Sequence, residues 1–396
     1  MIFQQLKRYD GNQALFNLVK MSIAATLAGD SLHIHAEGLR GTGKTTILRS
    51  ARDIMPPITR IQGCLYNCDP RQPHCPLHRH MSPEEIQAIG TEEIAMPFLE
   101  ISHSAKIGTV VGSIDIAKLT AESHAEACLL PGIIPQAHRG IIFIDEINRL
   151  ADMSPEITDV LLDVMGGKPG HIQIEEAGLE AVDLPVNVSV WAASNPDEDP
   201  GPLEEIRRQL SDRFDVLCFM GRPDTEQTIV DILQENLFSQ RQIQNSDLPS
   251  YRSDMADKKE MQEWAERYKH LPLPAFIQSY IARIYLKYNI ESIRAIESMQ
   301  QCTLLYAVTK NHQEPLLTDL FYVLPYTLRH RVLPEDLETI TSEIELKDNR
   351  SNFLNLLQPG KGKPDTGAEE YFKNNGTLLS KQSRDSLIHV ERPRDK

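Results

Sequence analysis

No run of apolar residues in this 396-residue chain approaches the ~18 that a bilayer-spanning helix needs, so no membrane span is expected. Basic residues are in deficit: 41 Lys and Arg against 56 Asp and Glu leave a formal charge of −15. That balance argues against a chain that works along the phosphate backbone of a nucleic acid, although a local basic channel stays compatible with it. The opening residues, Met1 to Arg8, lack the charged-then-apolar layout of a signal peptide, so a cytoplasmic chain is expected. Cysteine is scarce, and in that compartment the six present should be thiols or metal ligands rather than disulfides. No internal repeat occurs. The length suggests two or three domains with a sizeable core.

What is present centres on Gly38-Leu39-Arg40-Gly41-Thr42-Gly43-Lys44-Thr45. The alternating run Leu32 to Ala36 before it reads as a strand, and Thr46 to Arg52 after it reads as the first turns of a helix. Strand, Gly-x4-Gly-Lys-Thr and helix make a Walker A arrangement. Gly38, Gly41 and Gly43 let the backbone wrap a phosphate, with the N–H groups of the loop from Arg40 to Thr46 turned inward. The helix that starts near Lys44 adds its positive dipole end. Lys44 can reach the β and γ phosphates of ATP, and the Thr45 hydroxyl can hold Mg²⁺.

The second anchor is Ile141-Ile142-Phe143-Ile144-Asp145-Glu146. Four consecutive apolar residues predict a strand buried on both faces, as in a parallel sheet. The two acids emerge at its carboxyl end, where such sheets bind ligands. In a Walker B role Asp145 holds the Mg²⁺ shell and Glu146 polarises the attacking water. Val186 to Ala193 predicts another buried strand, delivering Ser194-Asn195-Pro196, where Asn195 can orient that water. Between these strands, Thr158 to Met165 predicts a helix stopped by Gly166-Gly167, and residues 171–184 predict a hairpin. In Arg207 to Asp215, Leu210 and Phe214 should pack and leave the arginines displayed.

A Pro- and Asp-rich loop at 63–80 holds Cys64, Cys68, Cys75 and His78 at spacings of x3, x6 and x2. Four soft or borderline ligands on one loop suit tetrahedral Zn²⁺. His74 and His80 compete for the fourth place, and an iron–sulfur cluster is a further option. Residues 81–100 are expected to be a connecting helix that opens on the Ser-x-x-Glu start of Ser82 to Glu85, Ile101 to Ile116 a loop, and Ala117 to Ala127 a helix. Before the Walker strand, an amphipathic helix carries Leu15, Leu18, Val19, Ile23 and Leu27 and ends at Gly29-Asp30. From Asp224 on the pattern is helical, with segment 239–257 expected as a polar loop and everything past about Gly360 as a disordered tail. Arg294, on an apolar helix start, either snorkels or reaches a phosphate.

Taken together, these pieces resemble an AAA+ ATPase, and beyond that the magnesium chelatase I subunit family. The resemblance rests on Gly63 to Pro70, Pro131 to Ile134, Arg139 to Asn148, Val160 to Val164, Ser194 to Pro196 and Gln209 to Phe214, in that order, within roughly residues 5–335. It implies an α/β fold: an AAA+ P-loop parallel-sheet core over 1–222, a helical lid over 223–358 and a tail over 359–396. It implies that Asn195 is sensor 1, Arg213 the arginine finger and Arg294 the sensor 2 arginine. It further implies a homo-oligomeric ring, commonly hexameric, with ATP at subunit interfaces, a partner with an integrin-like domain, and a large catalytic subunit that holds the tetrapyrrole. No Asp-x-Ser-x-Ser motif occurs here, so an integrin-like partner must be a separate chain. Gly108-Thr109 stand where the family has an acidic–Arg pair, and His78 where members often have Cys. A remodelling chaperone of the MoxR type would share this chemistry and differ in its partner. A nucleotide-binding scaffold of little turnover is the third reading, and intact Lys44, Asp145, Glu146 and Arg213 argue against it.

Overall fold

Five parallel strands place the ATP motifs. The computed structural model describes residues 3–114, 129–174, 182–242 and 250–343. Its strands are β1 (Ile34–Gly38), β2 (Pro57–Ile61), β3 (Thr91–Ala95), β4 (Phe98–Ile101), β5 (Gly112–Ile114), β6 (Leu129–Pro131), β7 (Gly140–Asp145), β8 (Gly170–Ile174), β9 (Val182–Val186), β10 (Val188–Ser194) and β11 (Val216–Met220). Its first helices are α1 (Asp10–Ala28), α2 (Lys44–Ser50), α3 (Pro83–Ile89), α4 (Ile107–Val111), α5 (Ile133–Gln136), α6 (Ile147–Met153), α7 (Pro155–Val164) and α8 (Leu203–Arg213). The helical remainder is α9 (Glu226–Gln242), α10 (Ser250–His270), α11 (Ala275–Lys287), α12 (Arg294–Thr309) and α13 (Leu317–Leu328).

The main sheet has the order β11-β1-β10-β7-β4, every pair parallel. It is buried on both faces, and the side-chain alternation shows how. In β7, Ile141 and Phe143 join one core while Ile142 and Ile144 join the other. In β10, Trp191 and Ala193 go to the first, Val190 and Ala192 to the second. The first core is closed by α1 and by the helices from α10 onward; the second holds α4 to α8 and the thiol loop. Burial on both faces is why these strands read as continuous apolar runs. The α/β class and the helical region after the sheet are as the motifs imply.

Local chemistry sets the helix ends. Gly29, at φ 89°, caps α1 and donates to Ala25 O and Thr26 O, a left-handed turn that suits glycine. Ser82 and Glu85 form the reciprocal capping box at α3, with Pro83 in the first turn. The last helices dock on α1 and the turn after it through polar as well as apolar contacts: Tyr268 donates to Asp30 at 2.7 Å and Asn17 to Tyr322 at 2.8 Å.

Several expectations need correction. Residues 81–100 are helical only through Ile89; β3 and β4 follow, and β4 is the edge of the main sheet. β4 carries Glu100, which binds Arg49 and Arg52 at the open edge, so its pattern lacks the unbroken apolar run of a central strand. Segment 101–116 was expected as a loop, but 107–111 form α4 and 112–114 pair with β6. Helices, not a polar loop, occupy 239–242 and 250–257. In the expected 171–184 hairpin, β8 and β9 pair antiparallel, while its tip at 175–181 lies outside the described residues. So do the helix expected at 117–127 and the tail.

Candidate nucleotide site

Registers put the motifs at one edge of the sheet. Glu37 pairs with Ser194 and Ala193 with Asp145, so β1, β10 and β7 end side by side. The strand that carries Asn195 therefore lies between the Walker A and Walker B strands. Gly38, at φ 150°, stands where a Cβ would come within 2.7 Å of Met220 O, so only glycine turns the chain out of β1 here. Gly41 (φ 79°) and Gly43 (φ 89°) bend the loop, with open space where their Cβ atoms would be. α2 begins at Lys44 directly behind this cradle.

Lys44 is buried and its Nζ folds back on the loop, donating to Gly38 O at 2.6 Å and Leu39 O at 2.8 Å. Burial pushes its pKa down against the pull of Asp145, Glu198 and Glu37. Thr42 Oγ1 donates to Leu39 O at 2.9 Å. Thr45 Oγ1 donates to Asp145 Oδ1 at 3.1 Å, so two hard oxygen ligands already face each other. Thr46 lies exposed in the first turn of α2. Glu146 caps α6 in the left-handed region, at φ 56° and ψ 51°, a conformation that costs a non-glycine residue roughly 1–2 kcal/mol. Such strain is common at functional sites. Asn195 Oδ1 accepts from Asp197 N at 3.2 Å, and Asn148 Nδ2 donates to Asn195 O at 3.4 Å.

Arg213 and Arg294 lie elsewhere. Arg213 ends α8, three residues before β11 begins, and Val216 pairs with Ile34 at the start of β1. The strand between that edge and the P-loop is five residues long, about 16 Å at ~3.3 Å per residue. Arg294 donates to Met165 O at 3.3 Å and Gly166 O at 2.7 Å, and Arg213 Nη1 passes close to the same Gly166. Burial lowers the Arg213 pKa, and the neighbouring Arg294 charge lowers it further. Arg213 makes no hydrogen bond or ion pair among the described residues. Arg294 neither snorkels nor approaches the P-loop of its own chain. Leu210 and Phe214 are fully buried, as expected, while Arg207 pairs with Asp159 and Arg208 with Glu291.

Residues 100–235 match the family model of the MCM P-loop domain. The magnesium-chelatase 38 kDa subunit of Acidiphilium rubrum is 27% identical over 328 residues, covering 81% of this chain and 89% of that protein. The chloroplastic magnesium-chelatase subunit ChlI-2 of Arabidopsis thaliana is 27% identical over 316 residues, covering 78% and 71%. This chain is a homologue of the magnesium chelatase I subunits. Its fold also matches the crystal structure of a Cytophaga hutchinsonii protein inferred to be an ATPase, with TM-score 0.50, 16% identity and coverage of 82% and 83%. The P-loop ATPase class to which these chelatase I relatives point works with ATP and Mg²⁺, and the glycine cradle and the Thr45–Asp145 oxygens suit both.

Three charged residues around the P-loop carry no mark in the sequence motifs: Glu198, Arg149 and Arg49. Glu198 pairs with Arg40 of the loop at 3.0 Å, and Arg149 pairs with Glu146 at 3.1 Å and Glu198 at 3.7 Å. Arg49 lies 3.6 Å from Asp145. Arg40, Arg149, Asp152, Met153, Glu198 and Pro200 line an open cleft of about 520 Å³ at the loop. The acidic run Asp197-Glu198-Asp199 after a strand end was the available signal for Glu198. Behind the site, His35 Nε2 meets Ser194 Oγ at 2.8 Å, and the buried Glu37 carboxyl is pushed up to about 7 by burial and by Glu204.

The thiol loop forms a second centre. The ligand atoms of Cys64, Cys68, Cys75 and His78 all lie within 4.8 Å of one another, and all four residues are buried. His80 instead accepts from Arg79 at 3.0 Å, while His74 stacks on His138 with centroids 3.8 Å apart and keeps its Nδ1 3.3 Å from Cys68 Sγ. The five cysteines among the described residues are free thiols.

Proposed function

We propose that this chain is an ATP-hydrolysing motor subunit of a magnesium chelatase-type complex. It would drive insertion of Mg²⁺ into a tetrapyrrole such as protoporphyrin IX, held by a separate catalytic subunit. The observation that carries the motor reading is the division of charge across the sheet. Lys44, Thr45, Asp145, Glu146 and Asn195 gather at one edge, while Arg213 and Arg294 stand together at the other. One chain cannot bring both sets to the same phosphate. A ring of copies can, with each arginine pair facing the P-loop of its neighbour. The chelatase reading is supported by the names of the relatives.

In that ring Lys44 would turn from the carbonyls of Gly38 and Leu39 to the phosphate oxygens, and the loop N–H groups would hold the β phosphate. Thr45 and Asp145 are the oxygen donors for Mg²⁺, which supplies charge neutralisation at the phosphates. The Glu146 carboxylate takes the proton of the attacking water, and Asn195 fixes that water's orientation. Arg213 supplies directed donors to the charge that develops on the transferred group. Residues 1–222 would form the ATPase domain and 223–358 the lid. A chain carrying an integrin-like domain would couple this ring to the catalytic subunit. Beside ATP and Mg²⁺ at this site, we infer Zn²⁺ at the thiol centre.

Isolation of the native complex tests the function. A large chelatase subunit held in stoichiometric amount, released or remodelled on ATP addition, supports it. Recovery of an integrin-like partner bound to an unrelated substrate overturns the tetrapyrrole assignment in favour of a remodelling chaperone.

A further inference from the structure

We propose that Cys64, Cys68, Cys75 and His78 hold one structural Zn²⁺, and that this ion clasps the segment 57–81 onto the lead-in to the Walker B strand. The ligand atoms are already gathered. Cys64 Sγ and Cys75 Sγ are 4.0 Å apart, and Cys75 Sγ and His78 Nδ1 are 3.1 Å apart. A tetrahedron with Zn–S near 2.3 Å and Zn–N near 2.0–2.1 Å has edges of about 3.5–3.8 Å. The widest separation exceeds such an edge by about 1 Å and the Cys75–His78 pair falls short of it by about 0.4 Å, so small side-chain shifts bring all four ligands onto it.

Backbone chemistry gives an independent sign. Cys68 Sγ accepts from His74 N at 3.4 Å and from Cys75 N at 3.3 Å. Two backbone N–H groups converging on one sulfur fix its position and turn it toward the other ligand atoms. Tight turns make the cage. Asn67 N donates to Cys64 O at 3.2 Å, with Asn67 in the left-handed region at φ 53°, and both His78 N and Arg79 N donate to Cys75 O. Three sulfurs and one imidazole form a closed set with no place left for water, and burial removes access. Those are the marks of a structural zinc site rather than a catalytic one. Loading is a substitution of protons: the thiols lose theirs to solvent as Zn²⁺ enters, with no change of oxidation state.

What the clasp holds follows from its surroundings. Asn67 Nδ2 donates to Gln136 O at 2.6 Å and Tyr66 OH to Leu129 O at 3.3 Å. Arg139 reaches Thr59 O at 2.6 Å and lies 3.6 Å from Asp69. Every one of these contacts ties the metal loop to residues 129–139, which run directly into Gly140 and β7. The loop touches no P-loop residue through any of these bonds. Zinc would therefore set the stability of this corner without entering the phosphate chemistry.

The test uses the full chain, produced without a metal-binding tag and never exposed to chelator. Elemental analysis should find about one zinc per chain. Cys68→Ser should lose it and melt at lower temperature, while Cys218→Ser, altering a buried thiol on β11, should keep it. His78→Cys is the second variant, guarding against a misfolded Cys68→Ser; it preserves four ligands and should retain zinc. Co²⁺ in place of zinc should give the intense ligand-field bands of a tetrahedral thiolate site. Folded, metal-free protein with Cys64, Cys68 and Cys75 all open to thiol reagents overturns the site. Stoichiometric iron with visible charge-transfer absorption overturns the assignment to zinc. Neither outcome bears on the nucleotide site, whose ATP binding is measured separately.

Discussion

The Arg149 guanidinium lies 3.1 Å from the Glu146 carboxylate, one helical turn along α6, and its other arm reaches Glu198 at 3.7 Å. Glu198 in turn is paired with Arg40 of the phosphate loop at 3.0 Å. The group assigned to polarise water is thus engaged by a cation in the isolated chain, a contact that competes with its holding a water. Arg149→Met should raise the basal hydrolysis rate. Because the pair is half exposed and such pairs contribute ~0.2–1 kcal/mol, the rise should not exceed about 5-fold. Steady-state assays should show it in kcat with the ATP KM nearly unchanged. A fall in kcat would mean that Arg149 holds Glu146 in its working position.

Lys44 and Glu146 should separate binding from chemistry. Lys44→Ala removes the cation from a site built around it; charge-assisted hydrogen bonds contribute about 1.5–3 kcal/mol, so ATP affinity should fall by roughly 10-fold or more. Glu146→Gln keeps the shape and loses the base, so ATP should bind and persist while turnover falls by about 10²–10⁴. Calorimetric titration and single-turnover hydrolysis distinguish the two. Unchanged affinity in the first, or near-normal turnover in the second, removes that residue from its assigned role.

Arg213→Ala should bind ATP and hydrolyse it poorly, and Arg294→Ala should behave alike because both arginines gather at Gly166. An arginine supplied from a neighbouring subunit contributes on the order of 10³–10⁵ in rate in other P-loop enzymes. The decisive measurement mixes Arg213→Ala with Lys44→Ala chains. Some interfaces then combine an intact P-loop with an intact Arg213, and part of the activity should return. No recovery at any ratio, with native mass spectra showing mixed rings, would exclude an arginine acting between chains.

Acid should destabilise the fold well before the exposed carboxylates protonate. Burial holds His33 and His35 neutral, pushed down to about 4 from 6.5, and holds His330 well below 6.5. A base with a depressed folded pKa contributes stability above its unfolded value, lost as pH falls toward the folded one. Glu37, raised from 4.5 to about 7, acts oppositely and costs stability as pH rises through that window. Burial depresses His74 and His138 as well and, as with Glu37, raises Asp319; five histidines against these two carboxylates leave a net loss on acidification. The melting temperature should therefore fall steadily from about pH 6.5 toward pH 4.5, and His35→Gln should flatten the slope by about one proton. A melting temperature that stays level across this range would show that these histidines take up protons in the folded state.

Local pattern in the sequence marks the glycine loop, the paired acids Asp145 and Glu146, and the two-faced burial of the central strands. Each leaves a local mark: glycines where the backbone turns left-handed, a lysine and threonine at a helix start, an unbroken apolar run ending in two acids. It also supplied the metal-ligand candidates, because four such residues on one short loop are already close along the chain. The tertiary structure decided what depends on distant segments. It gathered His78 with the three thiols, while His74 stacks on His138 and touches the cluster only at Cys68, with Nδ1 3.3 Å from its Sγ. It made an edge strand of Phe98–Ile101, whose half-open face carries no alternation strong enough to read. It placed Arg213 and Arg294 together at the edge remote from Lys44, a fact that rests on strand register and on the contact between α12 and the end of α7. It paired Glu146 with Arg149 and Arg40 with Glu198 in one chain of charge. Spacing along a sequence fixes what one turn of backbone can do; which groups meet across a sheet is fixed only when both of its faces are packed.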